Sequence, residues 1–261
     1  MKARGWAVTD VGKTRDHNED SFLVNDRIGL FAVADGMGGH LGGERASRMA
    51  VEVLDREINQ GITLGVTDTN EEIRAVGSAP NPIATSLRQA VGEATRSIWY
   101  AAQNDSEYSG MGTTLTGMLF HKGRATLCHV GDSRAYLYRH GQTRQITEDH
   151  SWIQEQVRAG IITADDVLAS RFRNIITRSV GFEPTVEPDI ITLPVEAGDC
   201  FVICSDGLSN YLQPGEMGRV LASHFYAEAA RALVDIANER GGEDNITVVT
   251  VYLANSTRTP G

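Results

Sequence analysis

Between residues 113 and 146 the chain passes through four short β-type runs: 113–120, 125–130, 135–139 and 142–146. Turn pairs such as Lys122-Gly123 and His140-Gly141 separate them. Parallel neighbours would need a crossover of a dozen or more residues, usually a helix, and no gap here is long enough. The region must therefore fold as antiparallel sheet, which excludes a Rossmann-type arrangement. Residues 6–9 read as another strand, and 21–24 and 29–34 as a hairpin around Asn25-Asp26. The second arm of that hairpin is expected to stop at the glycine-rich run after Ala34. Later strands are expected at 189–193, 200–205 and 245–253, the last as a central strand.

Helical spacing appears elsewhere. Ala46, Ala50, Val53 and Leu54 share one face over 42–59. Over 82–102, Pro82 stands near the start, and Leu87, Ala90, Val91, Ala94 and Ile98 form the apolar stripe. Residues 151–159, 214–223 and 226–238 are also helical in pattern, while 61–79 reads as a polar loop. Antiparallel clusters flanked by helix pairs point to stacked sheets covered by helices, with nine or ten strands. Residues 149–181, where Arg171, Arg173 and Arg178 occur without a strong apolar run, read as a small satellite flap. One domain over 1–255, with a frayed tail at 256–261, is the expected organisation.

The 24 Lys and Arg are outnumbered by 34 Asp and Glu, a net charge of −10. That argues against nucleic acid as a partner, since such binders concentrate positive charge. It leaves room for one arginine pocket able to grip a phosphate. The cysteines, Cys128, Cys200 and Cys204, are odd in number and two lie in apolar runs, so buried free thiols and a reducing, cytoplasmic setting are expected. No stretch approaches 18 apolar residues, so no membrane span is expected, and the start has no apolar signal-type core.

Five acidic sites share a local grammar. Glu19-Asp20, Asp35-Gly36, Asp206-Gly207 and Asp244 lie at the end of an apolar run or beside glycine, and Asp132 sits in Val130-Gly131-Asp132-Ser133. A strand end holds a carboxylate rigidly, and an adjoining glycine lets the backbone turn and present its carbonyl. Carboxylate and carbonyl oxygens are what hard divalent cations bind. Acids held together also need a cation to stay ionised. Any one Asp-Gly pair is an ordinary turn; the recurrence is what carries the reading. Arg15, four residues before Glu19, can fork onto a phosphate, and His40, after the glycine run, can donate a proton.

Competing motifs fail. Gly12-Lys13-Thr14 would place the first glycine of a P-loop at Ala7, and the last glycine of a dinucleotide fingerprint begun at Gly36 would fall at Leu41. HExxH, CxxC and the Gly-x-Ser-x-Gly elbow do not occur.

Seven stretches together resemble the metal-dependent serine/threonine protein phosphatases, the PPM or type 2C family. They are Arg15-Asp16-His17-Asn18-Glu19-Asp20, Val33-Ala34-Asp35-Gly36-Met37-Gly38-Gly39-His40, Met111-Gly112-Thr113-Thr114-Leu115, Val130-Gly131-Asp132-Ser133-Arg134, Thr147-Glu148-Asp149-His150-Ser151, Cys204-Ser205-Asp206-Gly207-Leu208 and Gly242-Glu243-Asp244-Asn245-Ile246-Thr247. They occur in family order over nearly the whole chain, and the Asp-Gly-Met-Gly-Gly-His form is similar to the bacterial branch.

The resemblance implies an α+β four-layer αββα sandwich. It implies two Mn²⁺ or Mg²⁺ ions bridged by Asp35. Asp206 and Asp244 complete one; the Gly36 carbonyl and Glu19, largely through water, serve the other. Asp20 holds metal-bound waters, Asp132 with Asp206 forms a third, weaker metal site, and Arg15 holds the substrate phosphate. Phosphoserine or phosphothreonine on a protein is then hydrolysed by direct attack of a metal-bridging hydroxide. Phosphorylated protein substrates, among them a Ser/Thr kinase, are the implied partners, with the kinase activity opposed and the chain monomeric. Met37 stands where eukaryotic relatives carry a histidine, so the leaving oxygen's proton falls to metal-bound water or His40. Ser170-Arg171 replace the flap His-Pro of many bacterial relatives. Two other classes fit parts of the pattern: a regulatory pseudophosphatase, and a hydrolase of small phosphorylated metabolites.

Overall fold

The computed structural model describes residues 1–63, 81–162 and 175–255. Eleven strands among them form two antiparallel sheets. The first has the order β1 (Lys2–Asp10), β11 (Ile246–Ala254), β10 (Cys200–Cys204), β7 (Arg134–Arg139), β8 (Gln142–Gln145). The second has the order β2 (Asp20–Asn25), β3 (Leu30–Met37), β5 (Leu115–His121), β6 (Arg124–Val130), β9 (Asp189–Pro194). A two-residue strand, β4 (Gly112–Thr113), adds to the end of β3.

Three buried clusters stack these elements into four layers. Phe31, Met118, Leu127, Phe201 and Val249 fill the space between the sheets. Helices α1 (His40–Thr63) and α2 (Pro82–Asn104) lay Leu54, Ile58, Leu87 and Ile98 over the second sheet. After a two-turn helix, α3 (Trp152–Arg158), and the short α4 (Asp206–Ser209), helices α5 (Pro214–Ser223) and α6 (Tyr226–Glu239) cover the first sheet with Met217, Leu233 and Val234. β11 shows why its sequence is apolar without alternation. Val249, Val251 and Leu253 face the other sheet, Ile246 and Val248 face the helices, and both sides are buried from Ile246 to Val251.

The stacked-sheet expectation from the sequence matches this architecture. Several bounds differ. β1 runs from Lys2 to Asp10 rather than over 6–9, because β11 pairs with it along its whole length. β3 does not stop at Ala34. Gly36 and Met37 pair with Thr113 and Gly112, so a short partner strand carries it through Asp35. The run 113–120 is broken at Thr114 into β4 and β5. α1 begins at His40 and ends at Thr63, so the 61–79 loop begins later than expected and its remainder lies outside the described residues. So do residues 163–174 of the flap, including Arg171 and Arg173, and the tail 256–261. Among the described residues no helix is long and apolar enough to cross a membrane.

Candidate active site

The acidic positions collect at one end of the sandwich because strands of both sheets finish there. Asp20 opens β2 and is the register partner of Asp35 on β3. Asp132 lies in the loop from β6 to β7, which passes from one sheet to the other. Asp206 begins α4 just after β10, and Asp244 sits two residues before β11. Between them is a cleft of about 520 Å³ whose walls include Arg15, Glu19, Asp35, Asp132, Asp206 and Asp244. Gly36, Met37 and Ile176 line it too. Asp20 is not on that wall; it stands behind, 8% exposed.

Neutral side chains fix these acids in place. Asn245 accepts the Glu19 N–H through Oδ1 at 2.8 Å, and its Nδ2 donates to the carbonyls of Val11 and His17, each at 2.9 Å. One amide thus clamps the loop that carries Arg15 and Glu19. Ser205 Oγ donates to Asp20 Oδ2 at 2.8 Å and accepts the Thr247 N–H at 2.9 Å. The Asp35 backbone is saturated: its N–H donates to Thr114 Oγ1 at 2.9 Å, and its carbonyl accepts from Thr114 N–H and Thr113 Oγ1. α1 approaches so closely that a Cβ on Gly36 would collide with the Gly43 carbonyl, and one on Gly43 with the Glu19 carboxylate. Glycine is required at both positions for the helix to back the site.

Electrostatically the acids are unsupported. Burial pushes the Asp35 carboxyl well above the usual range, and the neighbouring Asp20, Asp206, Asp132 and Asp244 add to it. Burial, with Asp206 and Asp244, raises Asp20 to about 7. Burial and Asp206 raise Asp132 to about 8. Asp206 is raised by burial and by Asp244. Two nearby arginines do little to relieve this. Arg134 spends its guanidinium on Asp149, at 2.6 and 2.8 Å. Arg15, half-exposed, reaches only the outer Asp244, Nη2 to Oδ2 at 2.9 Å.

Oxygen Oδ1 of Asp20 and Oδ1 of Asp206 are buried without a hydrogen-bond partner. Orphaned anionic oxygens of this kind are the environment that a hard divalent cation fits. Among the described residues no three His, Cys, Asp or Glu side chains close around one point tightly enough to hold an ion alone. A backbone carbonyl and water must therefore share in any coordination, as such cations accept.

The structure thus brings together Arg15, Glu19, Asp35, Gly36, Asp132, Asp206 and Asp244, with Asp20 one layer back. His40 opens α1, and its side chain lies outside the described ones. Sequence reasoning missed the organising roles of Asn245, Ser205 and Thr114. The only signal for Asn245 was its position directly after an acid at a strand start. A further cluster supports the Asp132 loop. Gly131 N–H donates to His150 Nδ1 at 3.1 Å, so the neutral ring carries its proton on Nε2, which lies 3.2 Å from Asp189 Oδ2. Burial holds His150 below its ordinary value, so it is neutral near pH 7.

The profile of the protein phosphatase 2C family matches residues 12–247. The serine/threonine phosphatase stp of Listeria welshimeri is 38% identical over 247 residues, 93% of each chain. The fold is similar to that of the serine/threonine phosphatase PstP/Ppp of Mycobacterium tuberculosis, with a TM-score of 0.84, 34% identity and coverage of 98% of this chain and 100% of that one. It is also similar to the catalytic domain of the phosphatase PstP in complex with two manganese ions, with a TM-score of 0.81, 34% identity and coverage of 97% and 99%. With seven motifs in order, two helix-covered antiparallel sheets and an acid-lined cleft between their ends, the chain belongs to the protein phosphatase 2C family of metal-dependent serine/threonine protein phosphatases, in its bacterial branch.

Proposed function

We propose that the cleft hydrolyses phosphoserine and phosphothreonine on proteins with two Mn²⁺ or Mg²⁺ ions, and that the protein works against a Ser/Thr kinase. The observation that carries this is the excess of buried carboxylates, four with raised proton affinity, around one cleft whose two nearby arginines, Arg134 and Arg15, are engaged by Asp149 and Asp244. Asp35, central in the mutual repulsion, would lie between the ions. Asp206 and Asp244 would hold one; the Gly36 carbonyl and Glu19, through water, would hold the other. Asp20, behind the wall, would orient coordinated water, and Asp132 with Asp206 would form a weaker third site. When bound, the ions would neutralise these acids and acidify a water for in-line attack on phosphorus.

The chain's own residues would do the rest. Arg15, now on Asp244, has the reach and exposure to grip two phosphate oxygens and stabilise their charge in the transition state. Asn245 would keep Arg15 and Glu19 in register with Asp35. His40, at the mouth of α1, is the protein group proposed to protonate the leaving oxygen. The three thiols take no part: all are buried, and burial pushes each up to about 12. The 149–181 segment would act as a flap over a monomeric catalytic domain; Ile176 on the cleft wall supports that reading.

The test is phosphate release from a phosphothreonine peptide after EDTA treatment, with and without Mn²⁺. Release restored only by the metal is expected. A folded, metal-binding protein that releases nothing from the peptide, yet turns over sugar phosphates or nucleotides, would move the substrate class to small metabolites.

A further inference from the structure

The opposite end of the sandwich holds a second cavity, of about 540 Å³. Its walls come from both sheets: the start of β1, the β2–β3 and β5–β6 turns, and the ends of β9 and β11. In a chain of net charge −10, this cavity is lined by Lys2, Arg4, Arg27, Lys122 and Arg124 against a single carboxylate, Asp26. Two of the chain's three lysines are here. Arg4 is offset by Asp26 at 3.1 Å, and Arg27 meets only the neutral Asn59 amide oxygen at 2.6 Å. Among the described residues the side chains of Lys2, Lys122 and Arg124 have no ion-pair or hydrogen-bond partner. Four positive charges from three segments therefore face one space without compensation.

The backbone adds an independent sign. The β5–β6 turn places Lys122 at φ 45° and Gly123 at φ 76°. That two-residue geometry favours Asn-Gly or Gly-Gly. A lysine there is strained, and strain of this kind collects at functional positions. Ile28 and Phe120 give the same cavity an apolar side.

We propose that this cavity is a binding site for a small ligand carrying two or more phosphoryl groups. The volume falls within the range of small-molecule sites, about 300–1,000 Å³. Four uncompensated cations match a di- or triphosphate better than a lone carboxylate, which would leave most of them unpaired. A long polyanion would run out of the cavity onto a surface that is acidic overall, so a compact ligand fits better. The apolar side suits the body of a nucleotide. The site stands apart from the cleft and does not depend on the roles proposed there.

The experiment is calorimetric titration of the EDTA-treated full chain with inorganic tripolyphosphate and with ATP. Both are expected to bind, ATP at least as tightly. The double variant Lys122→Asn, Arg124→Gln keeps the turn geometry and should weaken both by about tenfold or more, one such step being about 1.4 kcal/mol. Arg15→Ala should leave both unchanged. A second pair, Lys2→Gln with Arg27→Gln, tests the other wall and should act alike; melting curves without ligand check that each variant is folded. Binding of neither probe, binding of ATP alone, binding that survives both double variants, or binding lost in Arg15→Ala overturns the proposal.

Discussion

Asp199 and Asp35 sit at opposite ends of the same sandwich and have opposite surroundings. The Asp199 side chain is 1% exposed, and Arg139 forks onto it with two bonds of 2.7 Å while the Glu196 N–H donates to it at 2.8 Å. Its counter-charge is built into the chain. Asp35 is ringed by acids, and its side chain has neither an arginine nor a lysine beside it among the described residues. An acid that serves the fold carries its own base; the acid proposed to hold a cation has none beside it among the described residues. The far end repeats the logic with reversed sign, since its exposed bases outnumber its carboxylate.

The largest break in that contrast is Asp35→Asn. Losing a residue that only supports a metal ligand costs about 10–100-fold, so removing the central acid should cost about 10³-fold in phosphopeptide hydrolysis. The variant should fold normally and, without metal, melt no lower than the parent, because it relieves repulsion. Phosphate release and circular dichroism on one preparation decide it; near-normal turnover in a folded variant would remove Asp35 from the centre of the site.

pH gives a second handle. Asp20 and Asp132 bind protons up to about 7 and about 8 in the native chain, but only near 3.8 when unfolded. Between those limits the native state holds more protons, so metal-free stability should fall as pH rises from about 4 to 8. Mn²⁺ at pH 8 should restore it by mass action, about 2.7 kcal/mol at one hundred times its dissociation constant. Urea midpoints across that range check both signs; a metal-free midpoint that rises with pH would mean that the acids already have partners.

Arg15→Ala tests the half-exposed cation on the cleft wall. Charge-assisted bonds are worth about 1.5–3 kcal/mol, so kcat/KM for a phosphopeptide should fall about 10–100-fold. Metal affinity should hold or rise, since Asp244 loses a competing cation. At the other end, Asp199→Asn should lower stability by about 1.5–3 kcal/mol through the lost charge on the Arg139 fork, and leave turnover intact. Denaturant melts and phosphate release separate the two residues: a turnover loss in Asp199→Asn, or a stability loss of that size in Arg15→Ala, would erase the distinction between the ends.

The acidic end was legible from sequence because its acids are tied to strand ends and glycines, and the antiparallel pairing followed from turns too short for crossovers. What escaped depends on contacts distant in the chain. β3 continues past Ala34 only because residues 112–113 come to pair with it. Asn245 organises a loop more than 220 residues earlier, and no local pattern marks an amide for that work. The basic cavity escaped for the same reason. Lys2, Arg27, Lys122 and Arg124 are unremarkable surface residues until two sheets bring their ends together.

The smallest effect is also the most specific. Lys122 at φ 45° and His140 at φ 52° occupy the same place in two similar hairpins, each followed by a glycine at positive φ. A left-handed backbone costs an ordinary side chain about 1 kcal/mol or more, and asparagine lowers that cost. Lys122→Asn and His140→Asn should therefore each raise stability by a few tenths up to about 1 kcal/mol. Only Lys122→Asn should also weaken tripolyphosphate binding, because His140 lies outside the basic cavity. Equal gains in melting temperature with a binding loss in Lys122→Asn alone would mean that the lysine is kept for its charge against the preference of its own turn. If Lys122→Asn instead lowers the melting temperature, the lysine stem packs usefully against the turn, and the strain ceases to be a mark of function.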